Sequence, residues 1–96
     1  AAQRSEAPMK RSTVHVPWAD GLKFRPAARI IRAAQRYRSS VVLRCGERTA
    51  DVRSIMSLVL LCASMGAAVT IEATGEDERR AVEAVERVFS ASDGGA

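Results

Sequence analysis

Ninety-six residues with 47% apolar content and a net charge of +4 suffice for one small domain with a single core. The longest apolar stretch, Leu58 to Ala63, falls far short of the ~18–20 residues of a membrane span, so no membrane partner is expected. The charge is uneven: residues 1–53 carry twelve Lys/Arg against four Asp/Glu, and residues 54–96 carry three against seven. A one-sided field of this kind favours an acidic partner surface or a polyanion.

In chain order, residues 1–9 read as a disordered tail, 10–90 as one domain and 91–96 as a second disordered tail. The start is neither a signal peptide nor an initiator methionine. It implies a cloning remnant, a processed end or a piece of a longer chain. Thr13-Val14-His15-Val16 alternates as a first strand, which makes His15, the only histidine, a sheet-face residue rather than a catalyst or ligand. Pro17 to Gly21 is turn chemistry, and Pro26 suits the first turn of a helix. Over 27–38, Ala27, Ile30, Ile31 and Ala34 share one helical face, opposite Arg25, Arg29, Arg32 and Arg36. Ser40–Cys45 and Arg48–Val52 read as a hairpin around Gly46-Glu47. Residues 55–64 read as a short, almost wholly apolar helix stopped by Gly66. Val69–Ala73 is a fourth strand, and acidic residues 76–78 open a last helix with Ala81, Val82, Val85, Val88 and Phe89 at helical spacing.

The order βαββαβα implies an α+β domain with helices packed on one face of the sheet. Cys45 and Cys62 lack Cys-x-x-Cys spacing and any histidine cluster, so they read as free thiols of a reduced cytoplasmic protein. No metal and no cofactor are expected.

Three segments carry a family resemblance. Gly21-Leu22-Lys23-Phe24-Arg25-Pro26-Ala27 resembles the Gly-Leu-His-x-Arg-Pro-Ala signature of HPr, the histidine-containing phosphocarrier of the bacterial sugar phosphotransferase system. Arg53-Ser54-Ile55-Met56 resembles the family's regulatory Lys-Ser-Ile-Met segment, and Gly75-Glu76-Asp77-Glu78 resembles the start of its last helix. The resemblance implies the HPr-like open-faced β-sandwich, a four-stranded antiparallel sheet with three helices on one face. It also places the family's phosphoryl-accepting histidine on Lys23.

An ammonium has no lone pair with which to attack phosphorus, so histidine phosphotransfer is not expected and no residue is assigned as catalytic. The anion-binding half of the site is retained: Lys23, Phe24 and Arg25 stand where free amides and the positive end of a helix dipole favour phosphate. As a helix cap, Lys23 offers no acceptor and brings charge of the wrong sign. It reads either as a drifted surface lysine or as part of a fixed cationic site.

Ser54 suits an N-cap. The resemblance makes it, rather than Ser57, the regulatory phosphorylation site, although Ser57 replaces a glycine common in the family. Phe24, Ile55, Met56 and Arg29 are the residues expected to dock partners, with Leu58, Val59 and Cys62 expected in the core. The favoured reading is a regulatory adaptor akin to the catabolite-repression variant of HPr. Its implied partners are phosphotransferase-system proteins, HPr kinase/phosphorylase and a transcriptional regulator. The alternatives are a cationic anion- or nucleic-acid-binding module on the same scaffold, which the scarcity of aromatics disfavours, and an ordinary phosphocarrier with an engineered His-to-Lys change.

Overall fold

Alternation of apolar and polar residues builds β1 (Lys10–His15), β2 (Ser40–Cys45), β3 (Arg48–Asp51) and β4 (Ala68–Thr74). Helical spacing builds α1 (Phe24–Gln35), α2 (Ile55–Leu60) and α3 (Glu78–Ser90), in the order βαββαβα. The computed structural model describes residues 9–61 and 63–90. Both expected tails, apart from Met9, and Cys62 lie outside the described residues.

The strands form one antiparallel sheet in the order β1-β4-β2-β3. Register stacks apolar residues on one face: Val14 lies opposite Val69, and Leu43 lies opposite both Ile71 and Ala50. Val41, Leu43, Val69 and Ile71 pack beneath Ala27 and Ile30 of α1, Leu58 of α2 and Val82, Val85 and Phe89 of α3. Burying each large side chain contributes about 1.5–3 kcal/mol, so this helix-covered face holds most of the fold's stability.

The opposite face carries the alternate, polar residues. There Glu72 accepts from Arg44 at 3.2 Å and pairs with Arg11 at 3.4 Å, linking β1, β4 and β2. The Arg44 hydrogen bond, ahead of the charges of Arg44 and Arg11, holds the Glu72 carboxyl below the usual glutamate range.

All three helices differ from expectation at one or both ends. α1 starts at Phe24 and ends at Gln35 rather than spanning 27–38. Its end is set by a turn, in which the Tyr37 amide donates to the Ala34 carbonyl, and by Asp77, which accepts from the amides of Arg38 and Ser39 at 2.9 Å. α2 ends at Leu60 rather than 64, because the Leu61 amide is shared among the carbonyls of Ser57, Leu58 and Val59. The chain then turns inward, burying Ala63, and Gly66 closes the turn with φ +85°. α3 starts at Glu78 rather than at 76, after a turn in which the Glu78 amide donates to the Gly75 carbonyl.

Candidate functional site: a glycine-pinned loop at the start of α1

The loop before α1 is held by one close approach. The Leu22 amide donates to the Ala63 carbonyl at 2.9 Å, and Leu22 is buried. Gly21 permits this in two ways. Its φ of +80° suits glycine, and a Cβ there would lie 2.6 Å from the Ala63 oxygen. The turn is closed by the Gly21 amide, which donates to the Trp18 carbonyl. The loop is thereby fixed against the connection that follows α2.

Lys23 follows as the N-cap of α1, in extended backbone, and its side chain makes no capping bond. Its carbonyl accepts from Ala27, the first bond of the helix. Phe24 and Arg25 therefore precede the helical ladder, and their amides have no backbone partner among the described hydrogen bonds. Pro26 occupies the third helical position, where a missing N–H still costs nothing. The first turn contains no acid, and Lys23 and Arg25 are exposed. Amides, dipole and two cations together favour an oxyanion.

Two concavities flank Lys23. One, of about 470 Å³, lies between the loop and α2 and is lined by Asp20, Lys23, Val59, Leu60, Ser64 and Met65 among others. The other, of about 560 Å³, is lined by Trp18, Asp20, Gly21, Lys23, Arg25 and Pro26 among others. Trp18 packs against Phe89 with ring centroids 5.0 Å apart and ring planes tilted by 43°. Its Nε1 is buried without a hydrogen-bond partner among the described residues.

Ser54 is the N-cap of α2, its Oγ accepting from the Ser57 amide at 3.2 Å. Ile55 is half-buried, as is Arg29. Phe24 and Met56 are exposed by 56% and 54%, so their apolar surface is free. Leu58 is buried as expected, whereas Val59 is only half-buried because it turns toward the Lys23 cleft. Arg53 is engaged by Asp51 at 3.3 Å, and hydrogen bonds from Arg53 hold the Asp51 carboxyl below its usual range.

Sequence reasoning does not single out Trp18, Asp20, Leu60 or Met65 for this site. Leu60 and Met65 are exposed by 65% and 61%, continuing the apolar surface of Met56. Leu60 was detectable, since it follows Met56 by four residues and so shares its helical face. No group of three or more His, Cys, Asp or Glu able to hold a metal occurs among the described residues, and no described helix is long and apolar enough to cross a membrane.

An open-faced α+β sandwich carrying a cationic loop at the first helix start is the architecture of a small phosphocarrier domain. Residues 10–91 match the family described as PTS HPr component phosphorylation site. The chain belongs to the HPr family. It is 40% identical over 75 residues to the HPr-like protein Crh of Bacillus subtilis, covering 78% of this chain and 88% of that one. It is 35% identical over 75 residues to the phosphocarrier protein HPr of Haemophilus influenzae, with the same shares covered. Among solved structures it resembles the HPr of Bacillus anthracis, with a TM-score of 0.78 and 30% identity over 84% of this chain and 96% of that one.

Proposed function

We propose that this chain is a regulatory adaptor of the sugar phosphotransferase system that does not relay phosphate through histidine. The observation that carries the reading is Lys23: an exposed lysine caps α1 in the loop where the family resemblance places the phosphoryl-accepting histidine. The chain's single histidine, His15, ends β1 opposite Ala68. The relative Crh is described as a catabolite-repression HPr, which supports the regulatory assignment.

In this reading Ser54 is the phosphorylated residue, receiving a phosphoryl group from an HPr kinase/phosphorylase. Its hydroxyl already accepts from the Ser57 amide in the first turn of α2. Phe24, Ile55, Met56 and Arg29 dock the partner, a transcriptional regulator or another phosphotransferase-system protein in the cytoplasm. Lys23, Phe24 and Arg25 keep an anion subsite.

Two incubations test this, both read by intact mass. With enzyme I and phosphoenolpyruvate, the expected result is no adduct; an acid-labile phosphate on the chain overturns the proposal. With HPr kinase/phosphorylase and ATP, a single acid-stable phosphate is expected, absent from Ser54→Ala. Labelling of Ser57, or of neither serine, removes the regulatory half of the reading.

A further inference from the structure

The arginines of α1 are not confined to the loop end. Asp77 accepts from the amides of Arg38 and Ser39, so α3 begins where α1 ends. Phe89 meets Trp18 near the start of α1, so α3 runs back antiparallel along α1. Between the two helices lies a cleft of about 280 Å³ lined by Arg32, Ala33, Arg36, Tyr37, Ala84 and Arg87. The two alanines keep the groove open, while larger residues there would fill it. Arg32, Arg36 and Arg87 are all exposed, and none forms an ion pair among the described residues. No carboxylate lines the cleft. Glu83 neighbours Ala84 in sequence but is exposed outside it.

Three arginines, each carrying a fork of five N–H donors, therefore line one concavity whose lining holds no carboxylate. Helix dipoles do not assist an anion here. Arg32 lies in the last turn of α1, where the dipole end is negative. Binding must come from the guanidiniums alone. A single phosphate must share its four oxygens among three forks, whereas two linked phosphoryl groups offer about six terminal oxygens and more negative charge, enough for each fork to bind bidentately. Tyr37 adds a phenolic donor at the wall.

We infer that the Arg32–Arg36–Arg87 cleft is a binding site for a compact diphosphate, separate from the Lys23 loop. The ligand is inorganic pyrophosphate or the diphosphate of a nucleotide. The site is independent of the proposed function, since it shares no residue with the Lys23 loop or with Ser54.

The test is amide chemical-shift titration of the full chain with inorganic pyrophosphate at moderate salt. Shifts are expected at residues 32–37 and 84–87, with affinity about tenfold or more above inorganic phosphate, as multiple charge-assisted contacts require. The double variant Arg36→Gln/Arg87→Gln should lose about tenfold or more in affinity while its melting curve stays unchanged, because both side chains are exposed. Lys10→Gln/Arg48→Gln, with the same loss of net charge, should retain binding. An ADP titration separates the two sources. Affinity equal to or above that for pyrophosphate supports a nucleotide ligand, and weaker binding at the same amides supports the free anion. The inference is overturned if shifts are confined to residues 23–28 or if pyrophosphate binds no tighter than phosphate. It is likewise overturned if both double variants lose affinity equally. Displacement of pyrophosphate by lower concentrations of an oligoglutamate peptide or an oligonucleotide would also overturn it, showing a macromolecular surface instead.

Discussion

Replacing Lys23 by aspartate is expected to stabilise the fold. The N-cap position has extended backbone, an exposed side chain and no capping bond. An aspartate there can accept from the amide of Arg25 but not from the third helical position, because Pro26 has no N–H. The capping gain therefore falls in the lower half of the usual range, about 0.5–1 kcal/mol. Exchanging a cation for an anion at the positive dipole end adds about 0.3–1 kcal/mol at low salt. Together these give roughly 1–2 kcal/mol, or a melting temperature higher by about 4–16 °C for a domain of this size. Thermal melting at low and high salt of Lys23→Asp, Lys23→Asn and Lys23→Gln separates the parts. Asparagine should show the capping gain plus the loss of the lysine charge, glutamine that loss alone, and the extra gain of aspartate over asparagine should shrink with salt. An aspartate variant that melts no higher than the parent would refute the reasoning, and with it the claim that Lys23 caps a helix it does not help.

Ser54→Ala should cost about 1 kcal/mol by removing the acceptor for the Ser57 amide, whereas Ser57→Ala, checked by the same urea titrations, should cost clearly less. Gly21→Ala should destabilise by more than the about 1–3 kcal/mol of left-handed strain, because its Cβ also meets the Ala63 carbonyl; normal stability would show that the loop is not pinned there. Glu72 has its carboxyl pKa lowered by folding, so it contributes stability above the usual glutamate range that is lost as pH falls through and below it. Glu72→Gln should therefore melt lower than the parent at neutral pH, the gap closing as pH falls through and below the usual glutamate range; a gap that persists in strong acid would mean Glu72 acts through packing rather than charge.

Much of this architecture was legible because local pattern and tertiary structure agree. Ser40–Cys45 was readable as a strand since Val41 and Leu43 alternate beside the Gly46 turn, and the structure keeps those bounds. The arginine face of α1 was readable from spacing alone. The end of α2 was not, because a helix apolar throughout gives no polar stop signal. What ends it is an amide shared among three carbonyls, and the chain then dips toward a partner distant in sequence, Leu22. Lys23 was identifiable as the cap from the glycine and proline around it, yet the two cavities beside it depend on Trp18 meeting Phe89 and on Ala63 meeting Leu22. Arg87 was hidden for a similar reason: only the antiparallel return of α3 brings it to Arg32 and Arg36.

The sheet order carries a consequence for how the chain assembles in time. β2 and β3 pair across a two-residue turn, so they can close as soon as both exist. β1 precedes them in the chain but pairs with β4, Lys10 lying opposite Ala73. During synthesis the first strand made is thus left without a neighbour until nearly all of the rest has emerged. Lys10 and Arg11 place like charges at its start, which discourages association between nascent copies. Long-range pairings of this kind form late, since loop-closure entropy precedes any gain in contacts. Pulse-labelled hydrogen exchange during refolding should accordingly protect amides of β2 and β3 before those of β1. Early protection of β1 would mean that the strands at the two ends of the sequence find each other first, and that the hairpin follows rather than leads.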